Sequence, residues 1–476
     1  VTTGSDSFRT RTAAALKNAA LQTALQRAHT GFVEKRRQAV SLLPEFEALR
    51  DEGAALCEHT LSYLDAYLQR YESQLRQQGG QVHWAETPEQ ACEIIIDLCR
   101  QAGARHIAKG KSMVSEEIGL NAALESAGFE VVETDLGEYI LQLAKEPPSH
   151  IIAPAVHKTR AQIAELFKRF HTRYGIQGAR TEISELVGEA RQVLRERFLR
   201  AEVGITGANF LIAETGSSVL VTNEGNGDLS SSLPPVHIVV AGIDKVVPTL
   251  EDATALLRLL GRSATGQELT AYTTLHTGPR RAQDLDGPQQ YHVVLVDNGR
   301  STMLGNEFRP MLRCIRCGAC LNHCAVYGAV GGHAYAAVYP GPMGAVLTPL
   351  MRDLREAGDL AHACTLNGRC ASVCPVKIPL PDLLRSLRCH HYAAGLVPRR
   401  QRWILTAWVW LAQRPRLYQA LTGLLSWSLA GLGGRQHRLR HLPAASGWTQ
   451  ARDLPAPQGG TFQQAWRRQQ SCEERG

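Results

Sequence analysis

No run of about 20 apolar residues interrupts these 476 residues, so the sequence offers no convincing membrane span. The two most apolar stretches lie near the C-terminus. Residues 403–412 are cut off by Arg414, Pro415 and Arg416, and residues 417–434 contain Gln419, Thr422, Ser426, Ser428 and several glycines. The N-terminus is polar and helix-forming without an apolar h-region, so no secretory signal is expected. No glycine-rich dinucleotide fingerprint follows an early strand-like run, which leaves bound NAD or FAD unsupported. The Lys-Gly-Lys-Ser run at 109–112 is an incomplete phosphate loop, because Arg105 stands where its first glycine belongs. The glycines of 223–228 read as a turn. Lysine is missing from residues 399–476, which hold twelve arginines and three acids. That tail carries +9 of a formal net charge of +7, so everything before it sums to −2. Six of the seven tryptophans lie there too, from Trp403 to Trp466. Such a segment reads as a packed helical appendage with a basic face, as a docking face for an acidic partner, or as a membrane-interface contact. No nucleic-acid-binding fold accompanies the charge, so nucleic acid is not expected.

Cysteine is what the chain does have. Seven of the twelve cysteines fall between Cys314 and Cys374 at close, regular spacings, a rhythm that disulfide partners do not need and metal centres do. A reduced, cytoplasmic context follows. Cys57, Cys92 and Cys99 stand apart and read as core thiols.

The organisation is α/β. Residues 1–80 read as helical, with Leu56, Leu61, Leu64 and Leu68 at helical spacing, and suit an arm or a dimerisation element. Over 80–302, strand-like runs at 129–133, 150–154, 204–214, 217–222, 236–240 and 291–297 alternate with helical patterns at 116–126, 181–201 and 250–260. That alternation implies a mainly parallel sheet covered on both faces. Thr87, Pro88 and Gln90 form a strong helix start. His157, Lys158 and His237 sit at strand ends, where sites often lie. Residues 303–395 form the cysteine-rich segment and 396–476 the helical Arg/Trp tail.

Cys314, Cys317, Cys320 and Cys324 have the spacing C-x2-C-x2-C-x3-C. Three cysteines two apart wrap a short loop around three irons, and Gly318 and Ala319 let backbone amides approach the sulfides. In two-cluster ferredoxins the fourth cysteine of such a run ligates the other cluster. A zinc site would instead use two separated pairs. The second run, Cys364, Cys370 and Cys374 followed by Pro375, repeats the pattern with Asn367 in place of one cysteine. By the crossover, cluster one takes Cys314, Cys317, Cys320 and Cys374, an ordinary 4Fe-4S centre. Cluster two takes Cys324, Cys364 and Cys370. Its fourth corner has three solutions, because an amide oxygen is a poor ligand in a soft sulfur cage. The centre is 3Fe-4S, or it is 4Fe-4S with Asn367 or an open site at the last iron, or Cys389 folds back to complete it.

These cysteine runs, with residues 339–342 (Tyr-Pro-Gly-Pro), 374–379 (Cys-Pro-Val-Lys-Ile-Pro), 109–117 and 214–217, resemble the lactate-utilisation protein B family over about residues 15–470. The resemblance implies a LUD-type α/β domain, similar in fold to ribose-phosphate isomerases and CoA transferases, followed by an α-helical ferredoxin-like segment with two 4Fe-4S clusters. It implies an electron-transfer component of an NAD-independent L-lactate dehydrogenase complex, with companion proteins A and C and L-lactate as substrate of the complex. It also implies a cytoplasmic location, with peripheral contact at the inner face of the membrane as an alternative. The family usually has cysteine where Asn367 stands. Two other readings are a catalytic hydroxyacid-oxidising subunit with an open iron near Asn367, and a redox relay for a different donor. No residue here is identified for the hydride or radical step.

Overall fold

The computed structural model describes residues 8–176, 178, 180–442, 449 and 452–473. Residues 1–7, where the helical arm was expected to begin, and Trp448 of the tail lie outside them. The described residues fall into two compact units that divide between His391 and Tyr392.

Ten strands build the α/β part: β1 (Gln81–Ala85), β2 (His106–Lys109), β3 (Glu130–Glu133), β4 (Val203–Gly207), β5 (Phe210–Ile212), β6 (Ser217–Thr222), β7 (Val236–Gly242), β8 (Val246–Val247), β9 (Tyr272–His276) and β10 (Gln290–Val296). Six of them form one sheet in the order β1-β10-β7-β4-β2-β3, parallel throughout. Its inner strands are near-continuous apolar runs; β7 is buried at every position, as a parallel strand covered on both faces must be. The edge strands β1 and β3 bury only alternate residues or fewer. A second, four-stranded sheet runs β8-β5-β6-β9 and is mostly antiparallel.

The helix start expected at Thr87 is present: its hydroxyl accepts the amide of Gln90, and Pro88 opens the helix Pro88–Gln101. Two expected strands differ. The 204–214 run is split, because the chain leaves the large sheet at Gly207, where a Cβ would lie 3.1 Å from Ser112, and joins the small one at Phe210. Residues 150–154 are a turn. His150 Nδ1 accepts the amides of Ile152 and Ala153, and the Ser149 amide donates to Pro154 O, which curls the apolar run on itself. The N-terminal helices do not stand out as an arm. Phe46–Ser62 packs on Leu250–Ala264, with Gly53 so close that a Cβ there would meet Leu259 at 2.6 Å. Leu61, Leu64 and Leu68 are buried in the same core as the cysteine-rich segment.

The tail unit holds helices Arg399–Ala412, Pro415–Gly433 and Phe462–Glu473. Among the described residues no helix is long and apolar enough to cross a membrane. Trp403 is 76% exposed and Trp427 68%.

One pH response follows from the sheet. His83 on β1 and His292 on β10 share a 3.2 Å hydrogen bond, so one ring nitrogen of the pair must stay unprotonated. Burial, then the neighbouring His83, push His292 down to about 4. A group depressed from about 6.5 contributes stability above that pH and loses it as pH falls toward 4. Urea unfolding at pH 5 should show a loss on the order of 1 kcal/mol relative to pH 7.5 from this pair, allowing for screening at the sheet edge. His292→Gln should flatten that part of the pH slope. An unchanged slope in the variant would remove His292 from the account.

Candidate iron–sulfur centres

The two cysteine runs fold as a matched pair. Arg316 and Leu366, two residues after the first cysteine of each run, both have positive φ (58° and 56°). Gly318 and Gly368, two residues further on, do likewise (72° and 81°). Non-glycine residues adopt that conformation rarely, and its repetition at the same place in both loops marks a shared backbone cradle. Each loop runs into a short helix, Ala319–Asn322 or Arg369–Val373, and these two helices pack on each other. Because they do, the cysteine ending each run reaches the other run's loop.

Cys314, Cys317, Cys320 and Cys374 line one apolar cavity with Met311, Met343 and Val376. Burial pushes the Cys317 and Cys320 thiols far up, and neighbouring cysteines of the same set push them further. Four thiolates can share such a cavity only against cations of their own, so the donor set fits a soft metal cluster. Backbone amides face the sulfurs, Ala319 toward Cys317 and Ile378 toward Cys374 at 3.4 Å. The second set is Cys324, Cys364 and Cys370. Burial first, then Cys364 and Cys324, push Cys370 up to about 12. Cys324 Sγ accepts the Tyr327 amide at 3.4 Å, and Cys364 Sγ the Leu366 amide at 3.2 Å.

Asn367 is exposed on the second loop, and its Oδ1 accepts the Arg369 amide at 3.0 Å. Cys317 takes the amide of Ala319, also two residues on, so the Asn367 oxygen repeats the position of the Cys317 sulfur. Cys389 is not brought to this set. It lies exposed on the helix Leu380–Ala393, whose packed face is Leu380, Leu383, Leu384, Leu387 and His391.

Cations hold the ligand backbone. Arg50 donates twice to Cys374 O (2.7 and 3.0 Å), Lys245 to Cys314 O (2.7 Å) and Arg388 to Cys364 O (2.6 Å). Lys245 belongs to a buried network with Asp244, Arg300, Glu117 and Tyr339, which ties the cysteine segment to the carboxyl ends of the large sheet. Of these residues only Glu117 and Tyr339 fall in stretches singled out from the sequence, and nothing in the sequence pattern marked Arg50, Lys245, Arg300 or Arg388.

The strand-end candidates behave differently. His237 is buried; Thr206 Oγ1 lies 2.8 Å from its Nε2, and burial holds it well below the usual histidine range, so it is a neutral core residue. His157 and Lys158 both bind Glu146 (2.9 and 2.5 Å). Glu146, His157 and His333 place three ligand atoms within 4.8 Å, but Lys158 already neutralises the carboxylate. Lys109 is buried between Glu116 and Glu133 at 2.8 Å each, which makes it a core ion pair and no phosphate ligand. Cys92 and Cys99 are core thiols, and burial pushes the half-buried Cys57 up to about 12.

Comparison with known proteins matches these two parts. Residues 68–296 match the LUD domain and residues 310–378 the 4Fe-4S dicluster domain. The chain is 41% identical to the "Uncharacterized electron transport protein YkgF" of Escherichia coli K12 over 478 aligned residues, covering 100% of this chain and 99% of that one. It is 44% identical to lactate utilization protein B of Lysinibacillus sphaericus (97% and 96% covered) and 41% identical to that of Bacillus pumilus (99% and 99%). Among solved structures, a duf162 family protein from Deinococcus radiodurans aligns with 16% identity and a TM-score of 0.27, covering 49% of this chain and 98% of that one.

Proposed function

The chain belongs to the lactate utilization protein B family, and from that premise we propose that it is the iron–sulfur electron-transfer subunit of a complex that oxidises L-lactate to pyruvate. The observation that carries the reading is the convergence of thiols from both runs into two sets. Cys314, Cys317, Cys320 and Cys374 hold a 4Fe-4S cluster. Cys324, Cys364 and Cys370 hold the second, with Asn367 at its fourth corner, as 4Fe-4S or 3Fe-4S. When bound, such clusters accept and release one electron at a time. The protein's own part is to keep the sites apolar, to aim amides at the sulfurs and to surround the ligand backbone with Arg50, Lys245 and Arg388. Companion proteins A and C complete the assembly, and the Arg/Trp tail gives it a docking face. The alternative is a chain that oxidises the hydroxyacid itself.

The test is anaerobic. L-lactate should bleach the clusters of the reconstituted protein only when companions A and C are present. Bleaching of the isolated chain would overturn the relay in favour of the catalytic alternative. Iron and sulfide counts with EPR then settle the second centre. If it is 3Fe-4S, Asn367→Cys should add about one iron and abolish the three-iron signal. If it is already 4Fe-4S, counts stay level and only the potential moves.

A further inference from the structure

The carboxyl ends of β2, β4 and β7 open into a cavity of about 200 Å³, the place where open parallel sheets bind ligands. Its far wall is Ile315 and Arg316, the residues between the first two cysteines of the first run. That is room for a small organic acid. Three cations line it, Lys111, Lys245 and Arg316, against two acids. Asp135 is one acid, and its carboxylate is engaged as a helix cap by the amides of Gly137 and Glu138. Glu224 is the other, exposed and bonded to the Asn223 amide.

Two groups that line the cavity lack partners among the described residues. Arg316 Nη1 is buried and unbonded, although the guanidinium lies over the Tyr339 ring (4.9 Å) and within 3.9 Å of Asp244. Asn226, 7% exposed, leaves Oδ1 buried and unbonded. Among the described residues, Lys111 Nζ hydrogen-bonds only to Ile152 O. A buried donor and a buried acceptor each left unpaired cost free energy that a bound molecule would return. The donor calls for an anion, and the acceptor calls for a hydroxyl or amine hydrogen.

We infer that this cavity is a binding site for a small hydroxycarboxylate, with its carboxylate on Arg316 and Lys111 and its hydroxyl donating to Asn226 Oδ1. The inference deepens the proposed function and rests on it for the identity of the acid; the site itself rests on the cavity. An oxo acid of the same size offers no hydrogen to Asn226. The site therefore favours the reduced member of a hydroxy/oxo pair and holds it against the loop of the first cluster. No bond is made or broken in this step.

Calorimetry on the anaerobic holoprotein, titrated in turn with L-lactate, pyruvate and inorganic phosphate, tests it. L-lactate should bind at least about ten-fold more tightly than pyruvate, the discrimination expected of one buried hydrogen bond. Asn226→Leu should erase that preference, and Lys111→Gln should weaken both acids about ten-fold. Both residues lie outside the cysteine runs, so unchanged iron content and visible spectra certify each variant. Absence of lactate binding at millimolar concentration overturns the site. So do equal affinities for lactate and pyruvate, or phosphate binding as tightly as lactate. If lactate fails to bind while companions A and C still reduce the clusters, the pocket assignment falls and the electron-transfer reading stands. If lactate binds but the clusters never reduce, the reverse holds.

Discussion

Cys374→Ala should leave a protein with about half of its iron, and the lost half should be the first cluster. By sequence Cys374 closes the second run. In space it lines the cavity of Cys314, Cys317 and Cys320, with Arg50 fixing its carbonyl. Deleting it strips one corner from the set that has four cysteines and leaves Cys324, Cys364 and Cys370 intact. Cys370→Ala is the counterpart and should remove the second centre while sparing the first. Iron and acid-labile sulfide counts, with EPR of the oxidised and dithionite-reduced proteins, distinguish the two. If Cys374→Ala instead abolished the signal lost in Cys370→Ala, the ligands would not cross between runs, and the matched packing of the two short helices would need another explanation.

The two cysteine runs were legible in the spacing because such loops are local: cysteines with two or three residues between them, some small or left-handed, leave a pattern within a dozen positions. The parallel sheet was legible for a similar reason, since β7 and β10 are seven-residue runs that are mostly apolar. Strands β1 and β2 were not, because each is only four or five residues long and mixes polar with apolar side chains. The turn at 150–154 reads as a strand by composition, and only His150 accepting two amides from its own loop decides otherwise. The cavity was out of reach in a deeper sense. Lys111, Asn226 and Arg316 are more than 80 residues apart at each step, and the local runs around Lys111 and Asn226 read as an incomplete phosphate loop and a turn. Arg316 was in view as a spacer between cysteines, and its second face toward the sheet exists only in three dimensions.

The same long-range logic sets the second large effect, Arg300→Met, which should destabilise the fold by about 3–5 kcal/mol. Arg300 is 1% exposed. Its guanidinium makes paired bonds to Glu117 (2.9 Å each) and one to Asp244 (2.7 Å), carboxylates that are themselves buried. Arg300 and the Tyr339 hydroxyl, which donates to Glu117 at 2.7 Å, hold that carboxyl below its usual range despite burial; Lys245, then Arg300, do the same for Asp244. Methionine fills the volume but leaves two buried charges short of a partner, and removing one member of a buried ionic network costs far more than exchanging the whole network for neutral groups. The double variant Arg300→Met, Glu117→Gln, which keeps Asp244 as the partner of Lys245, should therefore recover part of the loss, a coupling that a cycle of denaturant midpoints reads directly. The site is affected as well as the fold. Asp244 also holds Lys245, and Lys245 holds Cys314 O, so the single variant should lose iron from the first cluster before the second. Equal loss from both clusters would mean that the network supports the whole unit, and that the first loop has no special dependence on it.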